Sequence, residues 1–525
     1  MAETKKEAKK SFTKSLLSAE DLIQYDFVEK RIPQLQDFRK THYGANLDIL
    51  WAEADRDCVP HRLGTTSKKV IATDETKGWR GSFVKLGDSN WQSDSSQSNP
   101  FVKIQVALAI LVDRNPSGVF TAATKKFAAV TELMKQLYQR SWESNNSKGQ
   151  LKLFVYNLAK YGWACARSYP DNKSKYAIIR ENLDPRNVWM DDMAKPNNLR
   201  SVDDWCWRKI YTLDKAKSEF GQTKLWDYVQ PGGNTGDVIE QVGGSNAAGK
   251  TFVGEDLVEV YFYENLSKNL FYVKVGGVPV IIEELPITEL DGVTPKLSLW
   301  QTYWNLRHAE SPYGIGIYEA IRYSNAFLDR VRNMTVDQIV MSIYKMFFYQ
   351  GTQALTETGD IKLTPGVGRQ VLDPKNINWL DVPGPGRDAY EGIQMFRKDV
   401  DEESGITDPL MGIITGKTAF ETAQAKEAAL GRIRTPLDNI LEALDSEGYI
   451  TLSLIQLLYS IPEVYEISDP TLIEEYLKDV QFDPELYERG SETNKETGDV
   501  RETFSARVFP EIPLNLEADN KGNLN

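Results

Sequence analysis

Apolar residues fall at helical spacing in several separated stretches and alternate in one, an order that predicts a mixed chain. Residues 18–58 read as helical. Ser18 can cap; Leu22, Phe27, Ile32 and Leu35 supply apolar positions around a break at Pro33; and Leu47, Ile49, Leu50 and Trp51 begin a second piece. An apolar block over 101–112 ends at the turn signal Asn115, Pro116. Helical spacing returns over 127–142 and 150–163, where Leu151, Phe154, Val155, Leu158 and Tyr161 share one face and Gly162 follows near the expected end. Two short β-like runs lie between 177 and 211 around the loop Asp184, Pro185, Arg186, Asn187, and Thr212 then caps a short helix. Over 257–282, Val258, Val260 and Phe262 alternate, a turn lies near 265–269, and Gly276 with Gly277 offers a two-residue turn, which together predict a β-meander.

From about residue 312 the pattern changes to long helices. Ile317, Ile321, Leu328, Val331 and Ile339 trace one stripe, and at about 1.5 Å per residue the stretch 316–338 would be about 35 Å long. Residues 341–349 turn β-branched and aromatic, and the chain to 387 is punctuated by Gly351, Gly359, Pro365, Gly366, Gly368, Pro374 and the run Pro383, Gly384, Pro385, Gly386. That is a small β-rich insertion with firm borders. A second helix over 388–404 follows, then a loop over 405–418, then a long helical region rich in Ala and Leu over 419–460 in which Pro436 predicts a kink near Arg432. The helices that border the insertion return antiparallel and place it at the far end of a hairpin, whose flanks need neighbouring subunits to be buried. After Pro462 the chain is polar and acidic, with a strand expected within 503–508. The fold class is α+β.

Composition narrows the function. The 525 residues hold 62 Lys and Arg against 75 Asp and Glu, a net charge of −13, which argues against coating nucleic acid by bulk attraction. Hydrophobic residues at 41% and charged ones at 26% fit a folded chain, and no apolar run approaches the ~20 residues of a bilayer span. Residues 1–14 carry five lysines and no apolar core, so no secretory leader is expected. Cys58, Cys165 and Cys206 are too few for a disulfide framework, and His42, His61 and His308 stand apart, so a cytosolic chain without a zinc site is the expectation.

Two glycine-rich stretches invite a nucleotide reading. Gly244, Gly249, Lys250 and Thr251 fit the phosphate-binding loop pattern, but the residues that follow run into the meander instead of a helix, so a surface loop is preferred. Gly412, Gly416, Lys417 and Thr418 precede a helix but are one residue short, and Thr418 with Glu421 reads as a capping box. The carboxylate runs Asp191, Asp192 and Asp401, Glu402, Glu403 read as solvated turns or helix ends before they read as cation sites. No nucleophile elbow or triad is present, and neither an enzymatic activity nor a cofactor is expected.

Four stretches in order resemble tailed-bacteriophage portal (head-to-tail connector) proteins. They are Tyr161, Gly162; the run Leu183, Asp184, Pro185, Arg186, Asn187, Val188, Trp189, Met190, Asp191; the run Ser311, Pro312, Tyr313, Gly314, Ile315, Gly316 opening the helix with Asn325 and Arg330; and Ser404, Gly405, Ile406, Thr407 before Thr418, Ala419, Phe420, Glu421, Thr422, Ala423. The likeness spans roughly 90–460 and lies in order and character. It implies a portal-like fold: a basic tail at 1–17, an α/β wing at 18–311, stem helices at 312–339 and 388–404 around a clip at 340–387, a tunnel loop at 405–418, a long kinked wing helix at 419–460, and a 461–525 segment with a small or absent crown.

The resemblance also implies a homododecamer at one capsid vertex, which passes double-stranded DNA and docks the large terminase subunit, then head-tail adaptor and tail proteins, among the major capsid and scaffolding proteins. The expected location is the virion, with assembly in the host cytoplasm. Lys417, Asp399, Asp401, Glu402 and Glu403 become candidates for the DNA channel, an acidic wall repelling the duplex and letting it slide. Twelve copies at −13 would carry about −156, suited to a conduit without adhesion. Tyr344, Phe347, Phe348 and Tyr349 are candidates for partner docking or for the core between subunits. The rival reading is a P-loop NTPase or another packaging-motor component, which predicts nucleotide hydrolysis lost on Lys250→Ala or Lys417→Ala.

Overall fold

The computed structural model describes residues 12, 14–42, 46–58, 99–112, 118–122, 128–144, 146–170, 178–196, 201–221, 224–229, 257–289, 293–344, 347–350, 368–371, 383–408, 410–411, 419–458, 489–493, 500–504 and 514–518. The chain divides into two compact units. One comprises Met1–Ala52, Leu108–Gly316 and Arg434–Asn525, the other Glu53–Ala107 and Ile317–Ile433.

The first unit is built on a five-stranded antiparallel sheet. Its strands are β4 (Val188–Met190), β5 (Asp204–Thr212), β6 (Leu257–Asn265), β7 (Leu270–Val275) and β8 (Val278–Glu283), in that spatial order. The register aligns Trp189, Cys206, Tyr263, Tyr272 and Ile282 in one row across all five strands. Since alternate residues of a strand face one side, this row is a single apolar surface. Helix α1 (Ala19–Lys40) covers it with Val28, Ile32 and Leu35, all buried. The neighbouring row, Val188, Trp207, Phe262, Val273 and Ile281, faces the other way. There Trp207 stacks on Phe262 at 4.9 Å and on Trp205 at 4.1 Å. The Gly276 and Gly277 turn is as the pattern predicts, both at positive φ (53° and 90°).

A second sheet, β3 (Ile178–Asn182), β2 (Trp163–Pro170) and β9 (Leu299–Tyr303), is flanked by α5 (Ser147–Tyr161) and α4 (Ala128–Ser144). Arg167 of β2 places its guanidinium over Tyr169, Trp207 and Phe262, joining the two sheets. A short helix α6 (Leu213–Phe220) follows β5, with Thr212 accepting from the Lys215 amide as expected. Strands β1 (Gly118–Ala122) and β14 (Leu514–Ala518) pair antiparallel, as do β12 (Arg489–Thr493) and β13 (Val500–Phe504).

Three helices run across the division of the units: α2 (Leu47–Asp57), α3 (Asn99–Leu111) and α9 (Ala419–Leu458). The second unit holds the end of α2, the start of α3 and of α9, and two helices of its own, α7 (Ile317–Ile343) and α8 (Arg387–Ser404). Between those two lie β10 (Phe347–Gln350) and β11 (Gly368–Val371), which pair in parallel.

Several boundaries differ from the sequence expectation. Helix α1 passes through Pro33 without a break. Helix α7 continues to Ile343, past the expected clip border, with Met341 buried (5% exposed) near its end. The block at 101–112 is helical, and the strand expected within 503–508 lies at Val500–Phe504. Both helices and sheets are present, so the class is α+β.

Candidate functional site

Three of the stretches singled out in the sequence meet inside the first unit. Helix α5 ends at Gly162, whose φ of +82° is the left-handed conformation that only glycine adopts without strain. Gly162 lies against Gly316: a Cβ on Gly316 would stand 2.6 Å from the Gly162 nitrogen. The Trp304 amide donates to the Gly162 carbonyl at 2.9 Å. Tyr313 lies fully buried among Trp51, Trp163 and His42, and its hydroxyl accepts from the Met190 amide at 3.2 Å. Arg39, itself buried, donates to the carbonyls of Pro185, Arg186 and Val188 at 2.7–2.9 Å. The 161–162, 183–191 and 311–316 stretches are thus one packed junction within the first unit.

His42 and Ser311 are hydrogen-bonded there, and burial, with Arg307 and His308 nearby, lowers the imidazole from the usual 6.5 to about 4. Both side chains are about 1% exposed, so the pair is structural. Asp191 is buried, contrary to expectation, while Asp192 is exposed as expected. Arg31 reaches both at 3.0 Å and Asp204 at 2.8 Å, so the carboxylates fasten α1 to the sheet. A second buried polar centre links β3 to the far half of α9: Arg180 donates to Glu447 at 2.5 Å, and Tyr138 donates to the same carboxylate at 2.7 Å. Lys209, 2.5 Å from Glu181, is lowered to about 8 by burial and by Arg167.

The second unit carries the candidate site. Helices α7 and α8 lie antiparallel: Phe327 stacks on Phe396 at 5.9 Å, while near the other end Gln338 donates to the Pro383 carbonyl at 3.0 Å. At 27 and 18 residues they are about 40 and 27 Å long. The start of α7 is braced by α2 and α3: Tyr318 donates to Asp57 at 2.8 Å, Arg322 pairs with Glu53 at 3.3 Å, and Asn99 donates to Asn325 at 2.9 Å. Large apolar side chains nevertheless remain outside. Tyr323 (66% exposed), Phe327 (53%) and Met334 (62%) fall at i, i+4 and i+11 on α7, one stripe, and Tyr390 and Met395 are half-exposed on α8.

Among the expected channel residues, Asp401 is not on an open wall: its side chain is mostly buried and pairs with Lys103 at 2.5 Å. Glu402 and Glu403 are exposed, Glu402 within 3.4 Å of Lys398, and Asp399 is half-buried. Lys417 lies outside the described residues, as do both glycine-rich stretches, Lys250 and His61. Tyr344 is 44% exposed just beyond α7; Phe347, Phe348 and Tyr349 lie on β10, their side chains outside the description. Lys103 escaped the sequence reading. Its one signal was a lone ammonium inside the apolar block 101–112. Among the described residues no group of three or more His, Cys, Asp or Glu could hold a metal ion, and no helix is long and apolar enough to cross a membrane.

No family model matches the sequence, and no curated protein matches it. Among solved structures the chain is similar to a chain from the neck of an empty GTA particle computed with C6 symmetry. The TM-score is 0.33 and the identity 10%, over 67% of this chain and 78% of that one. At that level the likeness fixes neither fold nor function.

Proposed function

We propose that the chain is one subunit of a ring-forming head-to-tail connector, the portal class its sequence resembles, with a structural and not a catalytic role. The observation that carries this reading is the exposed stripe Tyr323, Phe327, Met334 on α7. A long two-helix arm that leaves such side chains in water has a use for neighbours on its flanks. Covering each is worth about 1.5–3 kcal/mol at full burial, and a closed ring covers them in every copy. In this reading α7 and α8 are the stem, β10 and β11 belong to the clip, 405–418 borders the channel, and the first unit with α9 is the wing. Twelve copies surround double-stranded DNA at the capsid vertex of the virion. They meet terminase first, adaptor and tail proteins afterwards, with capsid and scaffolding proteins outside, and neither cofactor nor nucleotide turnover is required.

Electron microscopy of the purified protein, with sedimentation velocity, tests this. Rings with an axial hole are expected, and Phe327→Glu with Met334→Glu gives folded monomers by circular dichroism. Wild-type protein that stays monomeric at high concentration with scaffolding protein present overturns the reading, as does ATP hydrolysis that is lost on Lys250→Ala or Lys417→Ala.

A further inference from the structure

Lysine is seldom fully buried, because its ammonium loses water that few interiors replace. Lys103 is 3% exposed. If α3 needed only volume there, methionine or leucine would serve. The ammonium's acceptors reveal a different job. Its Nζ donates to the Asp401 carboxylate at 2.5 Å, to the Ile406 carbonyl, and lies 3.5 Å from the Met411 sulfur. All three belong to the last turn of α8 and the residues just after it.

Those residues form a closely bonded turn. Gly405 ends α8 at φ +72°, its amide donating to the Glu402 carbonyl at 3.3 Å. The Ser404 hydroxyl accepts from the Ile406 amide at 3.1 Å and donates to the Asp401 carbonyl at 3.0 Å. Ile406 is fully buried, and the amides of Leu410 and Met411 donate to the Thr407 carbonyl. Arg432 of α9 adds a bond to the Glu402 carbonyl at 3.2 Å. Hydrogen bonds within the turn fix its shape. The Lys103 ammonium ties that shape to α3.

We propose that Lys103 is a positioning residue: its buried ammonium clamps the turn that holds Ser404, Ile406 and Met411 and so fixes how the chain leaves α8. The clamp stands on these contacts alone; its consequence for a channel rests on the connector reading.

Lys103→Met keeps the length and apolar stem of the side chain and removes the ammonium. Hydrogen exchange read by mass spectrometry on the full-length protein is expected to accelerate about tenfold or more across 406–411, with 321–341 unchanged. Adding Met411→Lys returns an ammonium beside Asp401 from the loop side. It restores protection of 406–411, which a role confined to packing α3 would not allow. Should Lys103→Met fail to fold, Asp401→Asn, which leaves α3 intact, is expected to accelerate the same amides. Unchanged exchange at 406–411 overturns the proposal, as does acceleration of 104–111 that Met411→Lys does not reverse. Particle images of the same samples keep the two claims apart. Absent rings in wild type sink the connector reading while the exchange result stands, and rings with unchanged exchange sink only the clamp.

Discussion

Gly316→Ala adds one methyl group at a place with no room for it. Its Cβ would stand 2.6 Å from the Gly162 nitrogen and 2.7 Å from the Lys160 carbonyl oxygen. Both are backbone atoms at the end of α5, so neither can rotate aside. Ordinary contact begins near 3.4 Å, so the two chains must part by about 0.8 Å. Forced overpacking of this kind costs about 1–3 kcal/mol. The same movement stretches the bonds that close the junction, Trp304 amide to Gly162 carbonyl at 2.9 Å and Ile315 amide to Asn305 carbonyl at 2.8 Å. Weakening one adds about 1 kcal/mol, for an expected loss of about 2–4 kcal/mol. Urea unfolding followed by tryptophan fluorescence reads it, since Trp163 and Trp304 flank the contact. Gly392→Ala is the control: nothing lies within 4 Å of its would-be Cβ inside α8, so the same change is expected to stabilise by about 0.5–1 kcal/mol. A Gly316→Ala loss below about 0.5 kcal/mol would refute the reasoning.

Arg180→Met strands the fully buried Glu447 carboxylate and is expected to cost about 3–5 kcal/mol by chemical denaturation, part of which Glu447→Gln in the same chain recovers. The depressed His42 pKa makes stability fall with acidity. Above pH 6.5 the ring is neutral folded or unfolded; between 6.5 and about 4 the unfolded chain takes a proton that the folded one refuses, at up to about 1.4 kcal/mol per pH unit. Thermal midpoints across that window should flatten in His42→Gln, and an unchanged slope would count against a buried neutral imidazole.

Local patterns carried much of this fold. The alternation of Val258, Val260 and Phe262, the Gly276, Gly277 turn and the Thr212 cap each act within a few residues, and the structure has all three. Pro33 misled because its effect is not decided locally. A proline inside a helix costs about 3 kcal/mol, while Val28, Ile32 and Leu35 on either side of it bury one face on the sheet at about 1.5–3 kcal/mol each. The polar anchors were invisible for a different reason. Lys103 finds Asp401 298 residues away, Arg180 finds Glu447 at 267, and Arg31 finds Asp191 at 160. Nothing in the run Asp191, Asp192 announces an arginine from the first helix, so a solvated turn was the natural expectation. On α7 the sequence showed the stripe Ile317, Ile321, Leu328, Val331 and Ile339; that Tyr323, Phe327 and Met334 stay outside needed the structure.

The bond from Gln338 to the Pro383 carbonyl ties the last turns of α7 to the chain just before α8. This bond therefore holds together the two helices on either side of the segment between them. That segment can lengthen, shorten or be exchanged for another while the helices keep their contacts. Changes between the two helices can therefore leave their pairing in place.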